Sequence, residues 1–183
     1  MANKKNAKKA SPKAKARSKP AARRAAPKAP AKRPAKPPNM TWVAPYLIAR
    51  DVDGVVSFYE RAFGFRRRSG IPGPDGKLAH AELTYKDAVI MVGRPMDASV
   101  KTPAESGGCP LSLYVYVDDV DAFHARACGG GAQGTVPPRT EYWGDRMCVC
   151  TDPEGYRWTF ATNVGDFDPS KAPGASGGAP PSA

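Results

Sequence analysis

The feature that most constrains the fold is a repeated order of secondary-structure patterns. The tripeptide Asp-Val-Asp opens two helical patterns, at residues 51–53 and 119–121, so the two copies lie 68 residues apart. One strand pattern precedes each helix, and three strand patterns follow it. Because a repeated order of elements indicates a repeated structural unit, the sequence predicts two strand–helix–strand–strand–strand modules, at about residues 41–93 and 111–163.

Local signals support this order of elements. In the first helix Asp51 or Asp53 can cap the N terminus, and Gly64 provides the end. The stretch LAHAELTYKDAVIMVG (78–93) predicts two strands joined by a tight turn. In its counterpart, RMCVCTDPEGYRWTFAT (146–162), alternation places Trp158 and Phe160 on one face of the last strand and Thr159 on the other.

A module of this kind has a helix on one face of its sheet and leaves the other face open. Two modules placed edge to edge predict an α+β fold. Its eight strands would form one curved mixed sheet, with the helices outside and a concave cleft inside. Concave and partly apolar surfaces are where small ligands bind, so the cleft is the expected functional surface.

The net charge of +11 belongs to one end of the chain. Residues 1–39 hold 14 of the 28 Lys and Arg residues and none of the 17 Asp and Glu residues, so residues 40–183 carry a net charge of −3. The Ala-, Lys- and Pro-rich composition predicts a disordered tail at 1–39, a folded domain at 40–166 and a second disordered tail at 167–183. A flexible basic tail binds phosphate backbones without reading bases, so non-specific nucleic-acid binding and nucleoid association are expectations.

Targeting signals are missing from this sequence. It has no apolar run of a secretory signal and no stretch near the roughly 18 apolar residues of a membrane span. We therefore expect a cytoplasmic protein without a membrane partner, whose four cysteines are reduced. Met40 immediately precedes the domain and is an alternative to Met1 as the start.

Three stretches resemble one known superfamily. APYLIARDVDGVVSFYERAFGF (44–65) resembles the opening strand and helix of the vicinal oxygen chelate (VOC) superfamily, which includes glyoxalase I, bleomycin-resistance proteins and extradiol dioxygenases. GKLAHAELTYKDAVIMVG (76–93) and YWGDRMCVCTDPEGYRWTFAT (142–162) resemble its PhnB-like branch. The resemblance covers about residues 41–165 and implies paired βαβββ modules and a homodimer.

Enzymes of this superfamily hold a divalent metal with four side chains on the concave face, usually His, Gln or Glu. The resemblance places Ala44, Met91, Ser112 and Thr159 at those four positions. Alanine offers no lone pair, a thioether is soft, and neutral hydroxyls are weak ligands for divalent ions. The sequence therefore predicts no metal and no cofactor, and it argues against metal-dependent glyoxalase or dioxygenase activity.

The predicted ligand-binding cleft is rich in aromatic and polar side chains. Its tyrosines share a face with the vacant metal positions and are suited to stack on a planar ligand and to form hydrogen bonds. The predicted cleft residues are Tyr46, Met91, Ser112, Tyr114, Tyr116, Trp143, Arg146 and Thr159. Two alternatives stay open: the groove is filled and binds no ligand, or Trp143, Asp145 and Arg146 brace a turn through an ion pair.

Three functions follow from these observations. The first is a VOC protein that binds a small organic molecule without a metal, with drug sequestration as one form. The second is a lyase or isomerase that uses a displaced metal or His80 and Glu82, which share a strand face and otherwise form a structural pair. The third is a nucleic-acid-associated protein acting through residues 1–39.

Overall fold

The fold is described here for residues 33–173, in a computed structural model of the 183-residue chain. The strands are β1 (Tyr46–Ile48), β2 (Arg66–Pro72), β3 (Leu78–Tyr85), β4 (Ala88–Gly93), β5 (Ser112–Tyr116), β6 (Gln133–Thr140), β7 (Asp145–Thr151) and β8 (Arg157–Asn163). The helices are α1 (Val52–Phe58), which continues into a π-helical turn (Tyr59–Phe63), α2 (Pro103–Ser106), α3 (Val120–Gly129) and a 3₁₀ turn (Pro169–Lys171).

The strands form two four-stranded mixed sheets of the same topology. Sheet A has the order β1-β4-β3-β2, and sheet B has the order β5-β8-β7-β6. In each sheet the first strand of the module pairs in parallel with the last, and the other pairs are antiparallel. The predicted α+β fold of two βαβββ modules is confirmed, but the eight strands form two sheets rather than one, since no backbone ladder joins them within residues 33–173.

The helices begin at the repeated aspartates. Asp51 accepts a hydrogen bond from the Gly54 amide, and Asp119 accepts one from the Ala122 amide, so both N termini carry a side-chain cap. Gly64, with a φ of 73°, ends the first helix in the left-handed conformation that glycine adopts most easily. The predicted start and end of this helix are confirmed.

The helix-facing sides of both sheets contribute to one core. Phe63, in the π-helical turn of the first module, packs against Trp158 and Phe160 of β8, with ring centroids 5.3 and 4.9 Å apart. Asp152 is buried between the modules and accepts hydrogen bonds from the Tyr59 hydroxyl at 2.6 Å and the Trp158 indole N–H at 2.9 Å. The two modules therefore depend on each other for burial of their apolar faces.

The ordered region extends beyond the predicted domain at its C-terminal end. The second tail was predicted to begin at residue 167, but the Phe167 ring packs on Tyr142 and the Asp168 amide donates to the Tyr142 carbonyl oxygen at 2.7 Å. Composition does not reveal these contacts, and the boundary at residue 167 stays a prediction. Residues 1–32 and 174–183, which hold most of the predicted tails, lie outside the described residues.

Two further observations concern the ends and the surface of the domain. The carbonyl oxygen of Asn39 accepts a hydrogen bond from Arg68 at 2.6 Å, so contacts with the folded part already begin before Met40.

Within residues 33–173, every helix is too short or too polar to cross a membrane.

Candidate functional site

Each sheet presents one face away from the helices, here called its open face. Side chains alternate along a strand, so the register of the ladders identifies the residues on this face. On sheet A, Tyr46 and Glu82 both pair with Met91, and His80 pairs with Gly93. On sheet B, the open face carries Ser112, Tyr114, Tyr116, Asp145 and Thr159. The predicted cleft residues are therefore divided between two sheets.

The open face of sheet A carries two separate polar pairs. The Tyr46 ring stacks on His80 with centroids 5.5 Å apart, and the Tyr46 hydroxyl lies 3.3 Å from His80 Nδ1. Gly93 makes this possible, because a Cβ at that position would overlap the Tyr46 phenol. Glu82 forms an ion pair with Arg68 at 3.2 Å. His80 and Glu82 thus have different partners and form no direct hydrogen bond with each other.

The open face of sheet B carries a connected group, here called the aromatic–acid cluster: Tyr114, Tyr116, Trp143, Asp145 and Asn163. Asp145 is only 3% exposed. Its Oδ2 accepts hydrogen bonds from the hydroxyls of Tyr114 at 2.8 Å and Tyr116 at 3.0 Å, and its Oδ1 accepts one from Asn163 Nδ2 at 3.0 Å. Trp143 Nε1 lies 3.4 Å from the Tyr114 oxygen. The three rings stay partly exposed while their polar atoms are held in place.

The electrostatics of this cluster are set by Asp145. Burial opposes ionisation, but hydrogen bonds from Asn163, Tyr114 and Tyr116 outweigh it and hold the pKa of Asp145 below its ordinary value. Burial, reinforced by the neighbouring carboxylate, raises the pKa of Tyr114 to about 12. The hydrogen bond to Asp145 is the main cause that raises the pKa of Tyr116. At neutral pH the carboxylate is therefore ionised and both phenols are neutral.

The four positions that the superfamily uses for a metal do not fit one here. Ser112 Oγ and Thr159 Oγ1 lie 3.1 Å apart and bond to each other, and Ser112 Oγ also lies 3.3 Å from the Arg157 carbonyl oxygen. Ala44 has no donor atom, and Met91 offers only a thioether. In the part of the chain that the structure describes, no three His, Cys, Asp or Glu side chains are grouped so as to hold an ion.

Arg146 lies on the side of sheet B opposite to the tyrosines. Its guanidinium donates to both carboxylate oxygens of Asp121 on α3, each at 2.6 Å. Since its neighbour Asp145 contacts the tyrosines, alternation directs Arg146 toward the helix. The placement of Arg146 in the cleft was therefore wrong, and the ion pair ties the helix to the sheet. A bracing role was one of the alternatives for this residue, although its partner is in the helix and not in the turn.

Sequence reasoning underrated Asp145 and missed Asn163. Asp145 was considered as a residue at the rim of the pocket or in a braced turn, not as an anchor of the tyrosines, and Asn163 was not considered. A signal for the first was present, because Asp145 and Val149 share a strand face, and Val149 pairs with Thr159. The register that would connect Asp145 to β5 across β8 cannot be derived from the sequence of one strand.

A shallow depression lies beside the aromatic–acid cluster. Its volume is about 430 Å³, and it runs along β5, the edge strand of sheet B, with the turn between β3 and β4 on its other side. Its polar lining includes Tyr114, Tyr116, Lys86, Asp87 and Asp118. A smaller cavity of about 130 Å³ with mostly apolar walls also touches Tyr114.

Comparison with known proteins identifies the fold family. The model of the glyoxalase/bleomycin resistance protein/dioxygenase superfamily matches residues 40–160. The chain belongs to this superfamily. An uncharacterized protein of Mycobacterium tuberculosis strain H37Rv, Rv0887c, is 34% identical over 126 residues, which cover 67% of this chain and 74% of that protein.

Two solved structures show a similar fold. TioX from Micromonospora sp. ML1 has a TM-score of 0.55 and 30% identity, with coverage of 65% of this chain and 95% of TioX. TnmS3 from Streptomyces sp. CB03234, described as an antibiotic binding protein, has a TM-score of 0.51 and 22% identity, with coverage of 65% and 92%. The likeness to TnmS3 concerns the fold alone.

Proposed function

We propose that this superfamily member binds a small organic molecule, without a divalent metal, in the depression beside Tyr114 and Tyr116. The observation that carries the proposal is the aromatic–acid cluster. It presents partly exposed rings whose hydroxyls are anchored to a buried carboxylate. Rings that are already fixed lose little rotational freedom when a ligand stacks on them, which favours binding. A volume of about 430 Å³ lies in the range of small-molecule sites.

A protein of similar fold also supports the binding of a small organic molecule. TnmS3 shares the fold and is described as antibiotic-binding, and sequestration of a drug-like molecule is the form of binding that we favour here. The narrower PhnB-like assignment rests on the motifs at residues 76–93 and 142–162. A homodimer remains part of the proposal, and light scattering on the purified protein tests it.

The enzymatic alternative finds less support in the geometry. His80 contacts Tyr46, and Glu82 forms an ion pair with Arg68. The two side chains therefore do not form the hydrogen-bonded pair that proton transfer between them would need. Metal analysis of the purified protein separates the alternatives. We expect less than one tightly bound divalent ion per chain, and stoichiometric zinc, nickel or iron would favour the enzyme.

The experiment that tests ligand binding uses the protein as a bait. Full-length protein is incubated with a cell extract, re-purified and denatured, and the released small molecules are identified by mass spectrometry. We expect an organic compound that is absent when the double variant Tyr114→Ala/Tyr116→Ala is used. The variant Trp42→Ala serves as control, because Trp42 is also an exposed aromatic residue but lies outside the cluster, and circular dichroism checks that both variants are folded. Equal release from all three proteins would contradict the proposal.

The charge distribution favours a second activity, located in the tail. Residues 1–39 carry 14 positive side chains and no acidic ones, whereas residues 40–183 carry a net charge of −3. We propose that the tail binds nucleic acid through phosphate contacts. If about six of its charges contact DNA, raising the salt from about 50 to 200 mM lowers the affinity on the order of 10³-fold. Salt-insensitive or sequence-specific binding retained by a chain that starts at Met40 would refute this assignment.

A further inference from the structure

The hydrogen atoms of the aromatic–acid cluster have a fixed direction. A carboxylate has no hydrogen to donate, so both tyrosine hydroxyls must donate to Asp145. Each phenol has only one O–H, and both are therefore used inside the protein. The indole N–H of Trp143 points to the Tyr114 oxygen at 3.4 Å, so this donor is directed inward as well.

What remains for a ligand is a set of acceptors. The Tyr116 oxygen keeps both lone pairs, and the Tyr114 oxygen keeps the one that Trp143 does not use. Hydrogen bonds polarise one another in a chain, so donation to a carboxylate makes the phenol oxygens more negative. The faces of the aromatic rings also attract positive charge.

The charged side chains around the depression also favour a positively charged ligand. Asp87 and Asp118 line it, and the one lysine of the lining, Lys86, is paired with Asp118 at 2.5 Å. Arg157 shares the open face but pairs in register with Ser112, at the opposite end of β5 from Tyr116. The surroundings of Tyr116 are therefore negative overall.

We infer that the depression selects a planar organic cation, or a planar molecule that donates N–H groups, over a planar anion. The inference rests on the proposed function, since it names the chemical class of the ligand for the same site. A positive or N–H-bearing edge would meet the phenol oxygens, while the ring would stack on the exposed aromatic faces. Beside Tyr116 an anionic group would meet the lone pairs of the phenol oxygens and the buried carboxylate of Asp145, and the one lysine of the lining is already paired with Asp118.

The test uses three planar three-ring probes with the full-length protein. Proflavine is a cation at neutral pH, acridone is neutral with one N–H, and anthraquinone sulfonate is an anion. We expect titration calorimetry to give the highest affinity for proflavine, a lower one for acridone and the lowest for the sulfonate. Proflavine should bind at least about tenfold more tightly than the anion, which corresponds to the free energy of one hydrogen bond to a charged group. Tyr116→Phe keeps the ring but removes the acceptor, and it is expected to weaken proflavine binding about fivefold.

Two matched variants separate the local effect from overall charge. Asp145→Asn and Asp97→Asn each remove one negative charge, but Asp97 bonds only within its own loop, to Ser99. We expect the preference for proflavine to collapse in Asp145→Asn and to persist in Asp97→Asn. Circular dichroism confirms that each variant is folded, and Tyr116→Phe supplies an independent result should Asp145→Asn unfold.

The outcomes distinguish this inference from the proposed function. Equal affinity for all three probes, or equal loss in the two aspartate variants, would overturn the inference and leave ring binding intact. Binding of none of the probes would overturn both. In that case the oligomeric state of Tyr116→Arg becomes informative. A wild-type dimer that turns into a monomer in this variant would show that the open face of sheet B binds a second copy of the chain.

Discussion

The open faces of sheets A and B carry equivalent tyrosines with different partners. Tyr46 and Tyr114 lie 68 residues apart, the spacing of the repeat, and they occupy the same position opposite Met91 and Thr159. The Tyr46 hydroxyl lies 3.3 Å from Nδ1 of His80, whereas the Tyr114 hydroxyl donates a hydrogen bond to the buried carboxylate of Asp145 at 2.8 Å. The same fold thus holds one tyrosine loosely and the other firmly.

The difference extends to the third strand of each sheet, β3 in sheet A and β7 in sheet B. Glu82 and His80 on sheet A correspond by register to Val149 and Met147 on sheet B. Sheet A therefore places its polar groups near the middle of the strand, half-exposed and individually paired. Sheet B buries apolar side chains there and keeps its acid at the start of β7. Among the described residues, only the open face of sheet B holds its tyrosines by a buried carboxylate.

The largest predicted effect concerns the core that both faces share. Asp152→Ala leaves the Tyr59 hydroxyl, the Trp158 N–H and two backbone amides without a partner, and it is expected to lower the free energy of unfolding by about 3 kcal/mol. Urea unfolding followed by circular dichroism measures this. Asp166→Ala is the control and is expected to cost less than about 0.5 kcal/mol. Two separate transitions in the wild type would mean that the modules unfold independently. That result would contradict the shared core on which the comparison of the two faces depends.

The next effect compares the acids of the two faces directly. Asp145→Asn is expected to cost about 2 kcal/mol, because a buried acceptor of three hydrogen bonds becomes partly a donor. Glu82→Gln is expected to cost less than about 0.5 kcal/mol, since its ion pair with Arg68 is partly exposed. Both values come from urea unfolding. Equal costs would show that sheet A is anchored as firmly as sheet B.

A smaller effect is expected for the equivalent tyrosines. Tyr114→Phe removes a hydroxyl bonded to Asp145 and is expected to cost about 1 kcal/mol. Tyr46→Phe removes a long hydrogen bond at the surface and is expected to change stability by less than about 0.3 kcal/mol. Differential scanning calorimetry of the pair provides the measurement. A larger loss for Tyr46→Phe would reverse the assignment of the anchored face.

The smallest effect is a change with pH. The pKa of Asp145 is lowered in the folded protein, so the stability that Asp145 contributes is present above its unfolded pKa and is lost as the pH falls through the folded value. The stability gap between wild type and Asp145→Asn should therefore shrink on acidification. Burial raises the pKa of Asp152, so the gap for Asp152→Asn should widen as the pH falls. Urea unfolding between pH 7 and pH 3, a window set by the ordinary aspartate pKa of about 3.9, tests both signs.

Much of the fold could be predicted because its signals are local. The aspartates before each helix, Gly64 at the end of the first, and the turn at Asp152 all act within a few residues of themselves. Alternation along β8 correctly separated Thr159 from Trp158. The division into two sheets could not be predicted, because it depends on which strand edges form hydrogen bonds with each other.

The candidate site was only partly accessible from the sequence. Its tyrosines were predicted from their shared face, but their bonds to Asp145 cross an intervening strand. Such contacts depend on sheet register and twist, which no local pattern specifies. Arg146 lies near Trp143 in sequence, but alternation along β7 places it on the helix-facing side, where it binds Asp121.

The shared core also has a consequence for how such a protein can change. The residues that stabilise the fold, such as Phe63 and Trp158, lie between the modules, while the proposed ligand contacts lie on the opposite face of the sheet. If the proposed site is correct, a substitution at Tyr116 would alter ligand binding without disturbing that packing. The stability cost of changing the proposed ligand contacts should therefore be limited to the hydrogen bonds that the exposed rings make with Asp145, while the packing between the modules persists.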